Sequence, residues 1–149
     1  MRLLVDSNIL LYAANRDSPE HAAARRVFDH LRKEAVPWCV TWGILYEFLR
    51  VATHARVFPR PLDARRAWGF VEALLAGGAV TVLVPSEQHA SFLRQVLDEL
   101  PHPAGNLFHD IHTATILREH GVPEILTADT AFLQFRFLKV TDPVHRPWP

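Results

Sequence analysis

Apolar residues recur along this chain in two rhythms. Short apolar runs bounded by turn or capping residues alternate with longer segments in which apolar residues return every three or four positions. Leu3-Leu4-Val5 is the first short run, and Asp6-Ser7-Asn8 ends it with cap and turn formers. The pattern predicts a buried strand opening into a helix over 9–14. Ser18-Pro19 signals a second helix, 19–34, with Ala24, Val27, Phe28 and Leu31 on one face and Pro37 beyond its end. Trp38-Cys39-Val40 reads as a strand, and Thr41 can cap a helix carrying Ile44, Leu45, Phe48, Leu49 and Ala52. A stiff connector at 57–61 precedes a helix with Ala67, Phe70, Val71, Leu74 and Leu75, closed by Gly77-Gly78.

The run at 80–84 is β-branched and almost wholly apolar, which predicts a strand buried on both faces. Pro85-Ser86 starts a helix with Phe92, Leu93, Val96, Leu97 and Leu100, and Leu107, Ile111, Ala114 and Leu117 mark another that ends at Gly121. A strand at 124–127, a turn or short helix from Asp129 and an edge strand at 137–140 follow. Strands alternating with helices imply an α/β fold, an α/β/α sandwich around a mainly parallel sheet. One domain over 1–141 and a proline-rich, loosely ordered tail over 142–149 are expected.

Composition narrows the function. With 149 residues, 49% hydrophobic and 21% charged, the chain can bury a core and is no disordered polymer. Sixteen Lys and Arg balance sixteen Asp and Glu, so a nucleic-acid partner must be met by a local basic patch. The single cysteine, Cys39, excludes an intramolecular disulfide and a cysteine-based metal site, which fits a reducing cytoplasm. No long apolar stretch calls for a membrane, and the run at 3–5 is too short for a signal peptide.

Four acids stand in apolar surroundings: Asp6 after the first strand, Glu47 within Ile44–Leu49, Asp110 within Leu107–Ile111, and Asp129 after the strand at 124–127. In parallel sheets, sites lie at the carboxyl ends of strands, where Asp6 and Asp129 fall. If the four converge, their charges demand shared protons or divalent cations, because two unit charges at 4 Å repel by about 4 kcal/mol at an effective dielectric of 20. Hard oxygen ligands favour Mg²⁺ or Mn²⁺, and the chemistry such a site supports is phosphodiester hydrolysis by an activated water. Each acid also has a purely structural reading. Asp6 and Asp129 suit helix caps, Glu47 can pair with Arg50 on a helix face, and Asp110 can face outward. Spacing alone does not show that the four meet.

The quoted segments resemble those of the PIN-domain endoribonucleases of the VapC toxin type. Leu3 to Tyr12 with Asp6 and Asn8, Trp42 to Thr53 with Glu47, Asn106 to Ala114 with Asp110, and Leu126 to Phe132 with Asp129 look like the four family motifs in order. The resemblance implies that Asp6, Glu47, Asp110 and Asp129 form an acidic quartet that holds Mg²⁺ or Mn²⁺, with Asn8 and Thr127 in support. It also implies metal-dependent RNA cleavage, a homodimer and a small VapB-like antitoxin as partner. Many relatives carry a further acid two residues after the fourth, where this chain has Ala131, so a second metal position is expected to be weaker.

Arginines concentrate in the first half, and Arg50 and Arg56 are the candidates for RNA contact. His109 and His112 flank Asp110 but are read as surface or packing residues. Trp38, Trp42, Phe48 and Trp68 are candidate partner anchors, with core packing as the competing reading. A degenerate scaffold acting as a binding protein and a housekeeping RNA-processing nuclease are the two alternative functions.

Overall fold

The computed structural model describes residues 3–149, so the first two positions of the expected 1–141 domain lie outside it. Five strands form one sheet: β1 (Leu3–Val5), β2 (Trp38–Thr41), β3 (Val80–Leu83), β4 (Glu124–Leu126) and β5 (Lys139–Thr141). Their spatial order is β3-β2-β1-β4-β5, and every neighbouring pair is parallel. The chain therefore builds outward from β1 on one side, then returns to add β4 and β5 on the other. The order reverses between β1 and β4, and a crevice at the carboxyl ends of strands is expected at such a reversal. Val5 is in register with Leu126, and the Asp6 backbone N–H donates to the Leu126 carbonyl at 3.0 Å.

Six helices accompany the sheet: α1 (Ser7–Ala14), α2 (His21–Lys33), α3 (Trp42–Ala52), α4 (Ala64–Leu75), α5 (His89–Asp98) and α6 (Leu107–Glu119). Local chemistry starts several of them. Thr41 caps α3 by accepting from the Ile44 N–H at 3.1 Å, and Asp63 caps α4 by accepting from the Arg66 N–H at 2.8 Å. Helix α2 ends through Ala35 at φ 50°, beyond which the Val36 N–H returns to the Leu31 carbonyl at 2.9 Å. The core joins β1 and β2 to Ile9, Leu10, Leu31, Leu45, Phe48, Ile111, Leu117 and Phe132, all buried.

Two expectations need correction. The strand at 80–84 was expected to be buried on both faces, yet β3 is a sheet edge paired only with β2; Thr81 and Val84 are exposed. An apolar β-branched run does not say whether a second strand covers it. The tail is not loose. Val144 and Trp148 pack against the core, and Trp148 meets the His30 ring edge-on at 5.0 Å between centroids. His145 bridges Asp142 Oδ2 at 2.9 Å and Glu20 Oε1 at 3.2 Å. Prolines limit secondary structure, but they do not prevent packing. Of the four aromatic anchors, Trp38 and Phe48 belong to the core, Phe48 stacking on Phe70 at 5.1 Å. Trp42 and Trp68 stay partly exposed, at 43% and 39%.

Candidate active site

The reversal between β1 and β4 gathers the acids. Asp6 follows β1 and caps α1, its Oδ1 accepting from the Ser7 N–H at 2.8 Å. Its Oδ2 accepts from the Thr127 hydroxyl at 2.8 Å and from Asn8 Nδ2 at 3.1 Å. Asn8 Nδ2 also donates to Thr127 Oγ1 at 3.0 Å, while Asn8 Oδ1 accepts from the Ala128 N–H at 3.0 Å. Thr127 Oγ1 takes the Asp129 N–H at 3.0 Å as well. Three side chains thus stitch the ends of β1 and β4 together, and every polar atom of Asn8 and Thr127 serves that stitch. Asp129 caps the 3-10 helix Thr130–Gln134 by accepting from the Ala131 N–H at 2.9 Å. The cap reading of Asp6 and Asp129 and their placement at the crevice are therefore both true.

Glu47 projects from α3, and Ser7 Oγ donates to its Oε2 at 3.0 Å. Asp110 sits in the first turn of α6. Asp6, Glu47 and Asp110 line one cavity of about 500 Å³ together with Tyr46, Arg50, His109 and His112. Asp129 lines an adjoining cavity of about 280 Å³ with Thr127. The exposures are graded: Asp6 is buried, Asp110 half-buried, and Glu47 and Asp129 exposed.

Electrostatics ties the four into one cluster. Burial pushes the Asp6 carboxyl up to about 6, against the lowering effect of the Thr127 and Ser7 hydrogen bonds, and the charges of Glu47 and Asp129 add to the rise. Burial pushes Asp110 up to about 7, reinforced by the charges of Asp129, Asp6 and Glu47. Among the described residues, no ion pair engages any of the four. The pairing of Glu47 with Arg50 does not form; Arg50 lines the cavity instead. Among the described residues, no three His, Cys, Asp or Glu side chains are already closed into a metal-ligand set. The donor chemistry nonetheless fits a hard cation, since these are carboxylate oxygens carrying uncompensated negative charge.

Arg56 lies on the exposed turn after α3 and does not line either cavity. Sequence reasoning missed Ser7, read only as a turn former, although the Asp-Ser-Asn run carried the signal. It also set aside His109 and His112, and both line the acid cavity. Their adjacency to Asp110 was visible, but which way α6 turns was not. Replacing Thr127 by Val keeps the strand shape and removes the shared hydroxyl. That variant is expected to lose about 1–3 kcal/mol of stability in denaturant titration, because Asp6, Asn8 and the Asp129 N–H all lose a partner.

A parallel sheet whose strand order reverses between β1 and β4 is an architecture that known proteins share. The chain belongs to the PIN-domain family, whose model, described as PIN domain, matches residues 3–138. It is 36% identical over 142 residues to Ribonuclease VapC43 of Mycobacterium tuberculosis H37Rv, covering 95% of each chain. Ribonuclease VapC37 of the same organism is 33% identical over 140 residues, covering 94% of this chain and 96% of that one. Among solved structures, VapBC2 from Rickettsia felis, bound to a DNA fragment from its promoter, shares the fold with a TM-score of 0.68 at 15% identity. That match covers 94% of this chain and 97% of the other. Mycobacterium tuberculosis VapC20, a Sarcin-Ricin loop cleaving toxin, matches with a TM-score of 0.62 at 17% identity, covering 94% and 99%. Among the described residues, no helix is long and apolar enough to cross a membrane.

Proposed function

We propose that this protein is an endoribonuclease dependent on Mg²⁺ or Mn²⁺ that acts as the toxin of a toxin–antitoxin pair, held in check by a small VapB-like antitoxin and working as a homodimer. The observation that carries this reading is the gathering of Asp6, Glu47 and Asp110 around one cavity at the β1–β4 reversal, with Asp129 joined to Asp6 through Thr127 and no ion pair on any of the four among the described residues. The relatives named ribonucleases support it by near full-length similarity.

Asp6, Glu47, Asp110 and Asp129 would hold the ion or ions. A bound divalent cation supplies charge stabilisation on the phosphodiester oxygens and lowers the pKa of water. The protein supplies position. Asp6 is clamped on both oxygens by Ser7, Asn8 and Thr127, which fixes its direction. Glu47 is oriented through Oε2 by Ser7, which leaves Oε1 to accept a proton from the attacking water. Arg50, at the wall of the same cavity, is placed to meet a backbone phosphate. In-line attack by water would form a new P–O bond as the P–O3′ bond breaks, Glu47 taking the water's proton and solvent supplying one to the departing 3′ oxygen, which leaves a 5′-phosphate and a 3′-hydroxyl.

Purified protein freed of antitoxin and incubated with total cellular RNA in Mn²⁺ or Mg²⁺ is expected to give discrete fragments. EDTA and Asp6→Asn are each expected to suppress them. Expression without antitoxin is expected to arrest growth, and Asp110→Asn to relieve the arrest. Cleavage that persists in EDTA would sink the metal-dependent reading; growth unaffected by an active enzyme would leave a nuclease that is not a toxin.

A further inference from the structure

The packed tail delivers a cation to the acid cluster. Arg146 lines the 280 Å³ cavity with Asp129, Thr127, Thr130, Thr141 and Asp142. Among the described residues, Arg146 enters no ion pair, although it shares this cavity with two carboxylates. Asp142 is already committed: its Oδ1 accepts from the backbone N–H groups of Val144 and His145 at 3.1 Å each, and its Oδ2 from the His145 ring. The guanidinium is exposed and unspent, beside an acid that the sheet reversal brings into the cluster.

The position of Arg146 is built rather than incidental. The residue before it, His145, joins Asp142 on its own turn to Glu20 at the start of α2, and Glu20 is itself held by Ser18 Oγ at 2.6 Å. The Tyr12 ring stands edge-on to His145 at 6.3 Å. Two residues further on, Trp148 meets His30 on α2. Anchors therefore lie on both sides of Arg146 and pin its backbone, so that the residue stands in the wall of the Asp129 cavity and of a second cavity against Ala23 and Val27 of α2.

The acids thus line two cavities, each with an arginine in its wall that enters no ion pair among the described residues: Arg50 beside Asp6, Glu47 and Asp110, and Arg146 beside Asp129. A single RNA strand running across the cluster places successive phosphates on either side of the scissile bond. We propose that Arg146 is an RNA-binding residue that grips the backbone phosphate on the Asp129 side of the cleavage point, and that the His145 clasp is what positions it. This rests on the ribonuclease reading above and adds to it a strand path across the site, between the α3–α6 cavity and the tail.

The test measures binding of a fluorescein-labelled oligouridine of about ten nucleotides by anisotropy as salt is raised, with Asp110→Asn as the background so that no cleavage occurs. Neutralising one phosphate contributes a slope of about −0.7 to log affinity against log salt for a single strand. Arg146→Gln is expected to make the slope shallower by about that amount and to weaken binding about tenfold. Arg146→Lys should keep the slope. Arg32→Gln, an equal charge change on α2 at a residue paired with Asp29, should leave both unchanged. His145→Leu, which cuts both bridges, should give the shallower slope, and a background slope there overturns the clasp. Arg146→Gln binding with the background slope and affinity overturns the Arg146 assignment while the nuclease stands. No binding by the background protein at any salt overturns both.

Discussion

Asp110→Asn is expected to abolish RNA cleavage and at the same time make the metal-free protein more stable at about pH 8. The first effect follows from losing one carboxylate of the proposed ion-holding set, and a drop of about 10³-fold or more corresponds to several kcal/mol of lost charge stabilisation. The second follows from the burial and the like charges that push Asp110 up to about 7. Above that pH the native state holds an ionised carboxylate against desolvation and three neighbouring acids. The amide removes that cost, which solvent screening at this half-exposed position holds to on the order of 1 kcal/mol. Among the described residues, no hydrogen bond to the Asp110 side chain is lost, in contrast to Asp6. In Asp6→Asn the single amide oxygen cannot accept from Ser7 and also from Thr127 and Asn8, so relief of charge is offset by a broken buried network. Cleavage assays and denaturant titrations on both variants check this. Equal destabilisation by the two would contradict the asymmetry.

The second large effect is a reversal of the pH dependence of stability by metal. Asp6 and Asp110 are raised from 3.8 to about 6 and about 7. Between those values and 3.8 the native state binds more protons than the unfolded chain, so in EDTA stability rises as pH falls from about 7 to about 5. His145, held above its ordinary value by Asp142 and Glu20, has the same sign, and His112, lowered mainly by burial, opposes it. Glu20, Asp17, Asp142 and Glu119 are all lowered, and the stability they contribute is lost as the pH falls further into the carboxylate range. A divalent cation requires the deprotonated acids, so with Mn²⁺ stability should instead rise with pH. At a hundred times its dissociation constant the ion adds about 2.7 kcal/mol. Thermal unfolding across this pH range, with EDTA or Mn²⁺, reads the two slopes. Parallel slopes would remove the metal from the acid cluster.

Much of this molecule is written in local pattern. The Leu3-Leu4-Val5 strand, the Thr41 cap of α3, the helices around Val27 and Ile111 and the Asp129 turn all follow from periodicity and capping, because each depends on neighbours in the chain. The alternation of these elements also announces a parallel sheet, and the sheet places Asp6 and Asp129 at strand ends. Motif resemblance then singles out Glu47 and Asp110, which pattern alone leaves open.

Other features depend on which elements become neighbours, and no local rule carries that. Thr127 reaches Asp6 across 121 residues only because β4 inserts beside β1. The β3 run is as apolar as a central strand, yet the strand order leaves it at an edge with Thr81 in solvent. Trp38 and Trp42 look alike as aromatic anchors, but Trp38 packs within the sheet against Phe28 of α2 while Trp42, opening α3, stays partly in solvent. The tail reads as a loosely ordered proline-rich end until His145 finds Glu20 and Trp148 finds His30, and between those contacts Arg146 lines the cavity of Asp129. Chain-local chemistry determined the elements and the candidate acids. The order of strands decided which acids share a field, how far the Asp6 and Asp110 carboxyls are raised, and which cations face the site, because desolvation and Coulomb forces act through space rather than along the chain.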